Sequence, residues 1–250
     1  MRVVAAYSVK GGVGKTTAAV NLAYEAARDR RVLLWDLDPQ GAATFLLGVK
    51  PRLRGGAEDL VRGRTPVRRA IRSTAWDRLD VLPADASYRE LDLVLDAAKK
   101  STQRVEKTLE PLAKHYDLVV LDCPPGASLV AENALRAADV VLLPLVPAPL
   151  SLRSLDQVLD LVAASPKPAT VLAYLSMVDR RKAAHRAAVD DLPGARAEVL
   201  DVVVPAAAVV ESMGARTAPL AAFAPSTVPA AAFGELWRRV DRALKKKSRR

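Results

Sequence analysis

Short runs of β-branched and aliphatic residues recur along the chain at 2–7, 32–36, 79–82, 118–122, 140–144, 171–176 and 199–204. Near-continuous apolar runs of this length are the pattern of strands buried on both faces. Between most of them, apolar residues fall at three and four spacing over 16–28, 88–97, 102–113, 129–137, 150–163 and 182–191, which predicts helices. The order is largely β-α-β-α, so the expected fold class is α/β, a mostly parallel sheet with helices on both faces and ligands at the carboxyl ends of the strands. A last helix over 230–244 puts Phe233, Leu236, Trp237, Val240 and Leu244 on one face, to pack against the body. The Arg- and Gly-bearing stretch 48–64 reads as an excursion over the surface. No repeat or linker divides the chain, so one domain is expected over 1–244, followed by a basic tail at 245–250.

Composition supports this and narrows the setting. With 250 residues, 50% of them hydrophobic and 26% charged, the chain can build a full core without staples. Its single cysteine, Cys123, excludes an internal disulfide and a Cys-rich zinc site, as suits a reducing cytoplasm. The first apolar run is too short for a signal peptide, and no apolar segment approaches a membrane span. The first strand begins at residue 2, and no helix-turn-helix that would read an operator is expected ahead of it. The formal net charge is +10, of which residues 238–250 carry +7 and the rest only +3. Such a tail is either a solvated end or a site for a polyanion, nucleic acid or acidic lipid.

The chemistry begins where the first strand runs into Lys10-Gly11-Gly12-Val13-Gly14-Lys15-Thr16-Thr17 and then a helix. Glycines at 11, 12 and 14 let backbone N–H groups turn inward as an anion nest, and the helix N-terminus adds partial positive charge. Lys15 is placed for the β- and γ-phosphates of a nucleotide, Thr16 for Mg²⁺ and Thr17 for the α-phosphate. The loop departs from G-x-x-x-x-G-K-[ST], because Val9 stands where the first glycine is expected. Two further strands end in acids: Asp36 and Asp38 after one, Asp122 after the other. Asp122 is the candidate Mg²⁺ holder, acting through water. Asp36 either joins the site or caps the next helix. His115 and His185 read as surface residues, Cys123 as a small buried residue and Trp35 as core.

The segments KGGVGKTT, DLDPQGAAT, YDLVVLDCPPG and ENALRAADVVLLPL together resemble the ParA/MinD family of deviant Walker A ATPases, and within it the short, Soj-like chromosome-partitioning branch. The resemblance is strong to about residue 160 and weaker beyond. It implies that Lys10 is the signature lysine reaching a partner protomer's nucleotide, that Lys15 is the Walker A lysine, that Asp38 orients the attacking water and that Asp122 is the Walker B acid. It further implies ATP and Mg²⁺ as cofactors, a homodimer around ATP, non-specific DNA binding on the nucleoid, and a ParB-like activator. Pro205 falls where the family's Pro-Arg-Asn contributes to the adenine pocket, but Ala206 and Ala207 follow it here. Arg180 and Arg181 stand where relatives carry a DNA-binding arginine, and Lys182 and Arg186 extend the patch. Two alternatives are a MinD-like membrane ATPase, disfavoured by a tail of Lys, Ser and Arg alone, and a P-loop kinase or amide-forming ligase acting on a small substrate.

Overall fold

The computed structural model describes residues 1–53, 55–98 and 101–247. Eight strands form one sheet in the order β3-β4-β2-β5-β1-β6-β7-β8. They are β1 Arg2–Ala6, β2 Val32–Asp36, β3 Arg72–Ser73, β4 Leu79–Leu82, β5 Leu118–Asp122, β6 Val140–Leu145, β7 Thr170–Val178 and β8 Val199–Pro205. All pairs are parallel except β3 with β4, so the expected α/β sheet is the one found. Because side chains alternate along a strand, Val3, Ala5 and Tyr7 enter one core while Val4 and Ala6 enter the other.

One face of the sheet carries α1 (Lys15–Ala26) and the C-terminal helix; both reach the second core, which also holds Ala43 and Leu47 from α2 (Ala42–Leu46) and the residue after it. Alanines at 18, 19, 23 and 26 of α1 are buried, and their small size lets that helix lie close on the strands. The opposite core takes residues from α3 (Gly56–Val61), α4 (Val67–Ala70), α5 (Leu91–Asp96), α6 (Arg104–Leu109), α7 (Leu129–Ala137) and α8 (Pro149–Ala163). Then follow α9 (Ala183–Ala195), three one-turn helices, α10 (Ala208–Glu211), α11 (Met213–Arg216) and α12 (Leu220–Phe223), and finally α13 (Val228–Lys247).

Three expectations are corrected. Residues 48–64 do not simply cross the surface: Leu53, Ala57, Leu60 and Val61 are core. Gly55 and Gly56, at φ of 79° and 66°, turn the chain inward, and Asp85 Oδ2 and Ser87 Oγ accept the N–H groups of Leu53 and Ala57. The helices expected over 88–97 and 102–113 are short α-turns flanked by 3₁₀ turns at Ala86–Glu90, Ser101–Gln103 and Glu110–Leu112. His185 is buried, with Nδ1 accepting the Asp179 N–H at 3.0 Å, so it closes the β7–α9 connection instead of facing water.

Helix α13 buries the five expected apolar residues and ends three residues later than expected. Its Lys247 Nζ donates to the carbonyls of Asp139 and Pro168, at 3.3 and 3.1 Å. Residues 248–250 of the basic tail lie outside the described residues. Among the described residues, no helix is long and apolar enough to cross a membrane.

Candidate nucleotide and magnesium site

The loop after β1 is held from several sides. Ser8 Oγ accepts the Lys10 N–H at 3.2 Å, and the Gly126 N–H donates to Val9 O at 3.0 Å, tying the loop to the turn that follows β5. Gly12 and Gly14 have φ of 71° and 97°, the left-handed region that favours glycine. Gly14 is also the N-cap of α1, so the helix starts with its free N–H groups at the loop. Gly11 needs no such freedom, since an added Cβ would only touch Pro125 at 4.0 Å.

A cleft of about 390 Å³ opens over this loop, walled by Gly11, Gly12, Gly14, Lys15, Thr16, Thr17 and Asp38. The cleft is also lined by Met177, Pro205, Ala206, Ala207, Val210 and Glu211. Lys15 is only 6% exposed, and its Nζ donates to Lys10 O at 3.3 Å. Lys10 itself is half-buried at the start of the loop, and no ion pair involves it among the described residues. Val13 is buried and is not among the residues lining the cleft.

The three acids separate by partner. Strand register sets Asp36 opposite Asp122 across β2 and β5. Asp36 Oδ2 accepts the N–H and hydroxyl of Thr44, at 2.8 and 2.7 Å, and its Oδ1 accepts the Asp38 N–H. It thus satisfies an N–H in the first turn of α2 from outside the helix, whose N-cap is Gly41. Asp38 stays half-exposed in the cleft wall, with Oδ1 accepting the Gln40 N–H at 2.9 Å.

Asp122 is fully buried, and neither carboxylate oxygen makes a hydrogen bond among the described residues. Burial lifts its carboxyl well above the ordinary carboxylate range, and neighbouring Asp36 adds to this; the Thr16 hydroxyl and Lys15 work in the opposite direction. A buried carboxylate that makes no hydrogen bond, with a Thr hydroxyl near by, suits a hydrated divalent cation, which would restore the charged form. No cluster of three or more His, Cys, Asp or Glu side chains that could hold a metal occurs among the described residues. A cation taking most of its ligands from phosphate and water needs no such cluster.

Two contributors have no motif in the sequence. Ser176 Oγ donates to Val13 O at 2.9 Å, buttressing the loop from β7. Tyr174, two residues earlier on the same face of β7, is fully buried in the cleft wall, and its hydroxyl makes no close hydrogen bond among the described residues. The i, i+2 spacing of these two hydroxyls was the available signal. Cys123 is buried, with its thiol pushed up by that burial, so it stays a packing residue.

The basic cluster lies beyond the carboxyl end of β7. Arg180, Arg181, Lys182 and Arg186 are all exposed. Arg181 is paired with Asp179 through Nε and Nη2 at 2.9 and 2.8 Å, which holds that carboxyl below its usual range. Arg186 donates to the carbonyls of Arg180 and Arg181 and folds back on the turn. The lysines that end α13 sit at the other end of the sheet, where Asp139 and Pro168 precede β6 and β7.

An AAA-domain family model matches residues 1–168. The chromosome partitioning protein ParA of Myxococcus xanthus is 36% identical over 214 residues, covering 82% of this chain and 75% of that one. The chain belongs to the ParA/MinD family. The sporulation initiation inhibitor Soj of Bacillus subtilis is 37% identical over 163 residues, 64% of each chain. Among solved structures, a Cyanothece McdA complex with ATP superposes with a TM-score of 0.83 over 98% of this chain and 96% of that one; at 18% identity it speaks for the fold alone. The cobyrinic acid a,c-diamide synthase of Mycobacterium smegmatis, with bound ADP and magnesium, superposes with a TM-score of 0.81 at 26% identity, over 98% of this chain and 95% of that one. The fold is that of the MinD, McdA and ParA P-loop nucleotidases.

Proposed function

We propose that this family member binds ATP with Mg²⁺, dimerises around it, holds DNA without sequence preference and positions a chromosome, plasmid or other cargo with a ParB-like activator. The observation that carries the reading is the buried Asp122 carboxylate, which makes no hydrogen bond among the described residues and has Thr16 near by, under a glycine loop whose cleft also presents Lys15 and Asp38. Backbone N–H groups of Gly11, Gly12 and Gly14, with Lys15, take the β- and γ-phosphate oxygens. Thr16 and Asp122 hold the magnesium, which neutralises phosphate charge, and Thr17 faces the α-phosphate. Asp38 orients the attacking water and accepts its proton. Pro205, with Ala206 and Ala207, flanks the base.

Lys10 is redundant in its own loop once Lys15 is assigned. Its ammonium, free of carboxylates, acts on the partner protomer's nucleotide and supplies the charge that an arginine finger supplies elsewhere. Hydrolysis then waits for assembly. The free charges of Arg180, Lys182 and Arg186 support a DNA surface that reads phosphates only, in keeping with a cytoplasmic protein on the nucleoid. The membrane alternative gains no support from α13, whose last turn is Lys245, Lys246 and Lys247.

A second reading keeps one specific observation in its favour. The likeness to a diamide synthase suits ATP-driven amide formation on a small acid.

Light scattering with a non-hydrolysable ATP analogue and Mg²⁺ tests the main reading. The parent becomes a dimer, whereas Lys10→Ala binds the analogue and stays monomeric. A Lys10→Ala protein that dimerises and hydrolyses like the parent sinks the action in trans. The ligase reading predicts ATP turnover that responds to a small carboxylic acid and ignores DNA.

A further inference from the structure

A second cleft, also about 390 Å³, lies at the amino-terminal edge of the sheet, at the end of the strands away from the glycine loop. Adjacent strands β4, β2 and β5 bring their preceding residues together there: Arg78 before β4, Arg31 before β2, His115 and Tyr116 before β5. Helix α4 adds Arg68. Three guanidiniums from three separate segments thus line one concavity. Ile71, Leu112 and the Tyr116 ring give it an apolar floor.

Asp80 also lines the cleft and Asp117 lies beside Arg31, and both carboxylates already accept hydrogen bonds. Asp117 accepts Arg31 at its N–H, Nε and Nη2, at 2.9, 3.2 and 2.8 Å, and its carboxyl is pulled down to about 2 by that partner. Asp80 Oδ2 accepts the Tyr116 hydroxyl at 2.7 Å. Among the described residues neither Arg68 nor Arg78 has a carboxylate partner; Arg68 meets only the His115 ring nitrogen, at 3.3 Å. Arg78 also sits at φ 59°, a left-handed conformation that suits Gly or Asn better, and its carbonyl is fixed there by the Val32 N–H at 2.8 Å. An unpaired arginine held in a costly backbone conformation over a cleft is a feature of binding sites.

We propose that this cleft binds a small phosphorylated anion, with Arg68 and Arg78, the two guanidiniums without a carboxylate partner among the described residues, taking the phosphate oxygens. Guanidinium forks match phosphate geometry, and the volume is that of a small-molecule site. The site is independent of the nucleotide reading.

Inorganic pyrophosphate, in magnesium-free buffer, is the probe, titrated calorimetrically into the full chain carrying Lys15→Ala to remove the loop's phosphate anchor. Binding persists in that protein, and Arg68→Ala with Arg78→Ala weakens it by roughly a hundredfold, at about tenfold for each guanidinium–phosphate hydrogen bond removed. Arg78→Gly alone, which relaxes the backbone and so folds at least as well, weakens it about tenfold. The proposal is overturned if Lys15→Ala binds no pyrophosphate, if the arginine substitutions leave binding unchanged, or if duplex DNA displaces pyrophosphate at lower phosphate concentration. The last result would make the cleft part of a polyanion surface.

Discussion

Gly14→Ala puts the glycine loop to a quantitative test. At φ 97° and ψ 20° an alanine is left-handed, which costs about 1–2 kcal/mol. Its Cβ would also stand 2.9 Å from Ser176 Oγ, and Tyr174 lies behind with its hydroxyl at 4.0 Å. Ser176 is buried in β7 and cannot withdraw; its hydroxyl has to rotate, losing the 2.9 Å bond to Val13 O, worth about 0.5–1.5 kcal/mol. The sum is a destabilisation of about 1.5–3.5 kcal/mol. Gly12→Ala is the control: it carries the same backbone strain at φ 71°, but nothing lies within 4 Å of the new Cβ, so it costs only the first part. Urea unfolding of both variants without nucleotide measures the difference. Adding Ser176→Ala to Gly14→Ala removes the obstruction, so the pair costs less than the sum of its single substitutions. A Gly14→Ala protein within about 0.5 kcal/mol of the parent, a shift usual for surface substitutions, refutes the buttress. Strict additivity with Ser176→Ala refutes the clash.

Further outcomes follow from the same site. The folded chain holds the Asp122 proton more tightly than the unfolded chain, so without Mg²⁺ stability falls as pH rises above the ordinary carboxylate range; urea midpoints in EDTA show a smaller fall in Asp122→Asn, and equal slopes would contradict the orphaned carboxylate. Asp38→Ala retains ATP binding and loses turnover by about a hundredfold, measured as phosphate release; unchanged turnover means that another group places the water. Because Arg181 is committed to Asp179, fluorescence anisotropy with a labelled duplex finds a larger affinity loss for Arg180→Ala than for Arg181→Ala, and the reverse order would move the DNA surface elsewhere.

The central strands were legible because β2 and β5, buried on both faces, are uninterrupted apolar runs ending in acids. The phosphate loop was legible because strand, glycines and helix are consecutive. The roles of Ser176 and Tyr174 were not, since β7 follows β1 by more than 160 residues and meets the loop only through the strand order. Nor could sequence divide the work of Asp36 and Asp38. That needed Thr44, whose hydroxyl and N–H claim Asp36 and leave Asp38 to the cleft. Residues 48–64 misled because polar arginines and glycines outnumber Leu53, Leu60 and Val61, although the short helical stripe of Ala57, Leu60 and Val61, with Leu53 ahead of it, is enough to dock the segment.

The separation of the two basic features along β7 also works as a ruler. The eight steps between the nine residues of β7, at about 3.3 Å each, set the turn bearing Arg180 and the lysine end of α13 at least roughly 26 Å apart along the sheet. On B-form DNA, with about 3.4 Å of rise per base pair, that is nearly eight base pairs. Oligonucleotides shorter than this reach one feature of a protomer but not both, so plotting affinity against duplex length separates the patterns of use. One smooth curve means that a single feature binds, and a step near eight base pairs means that both grip the same duplex.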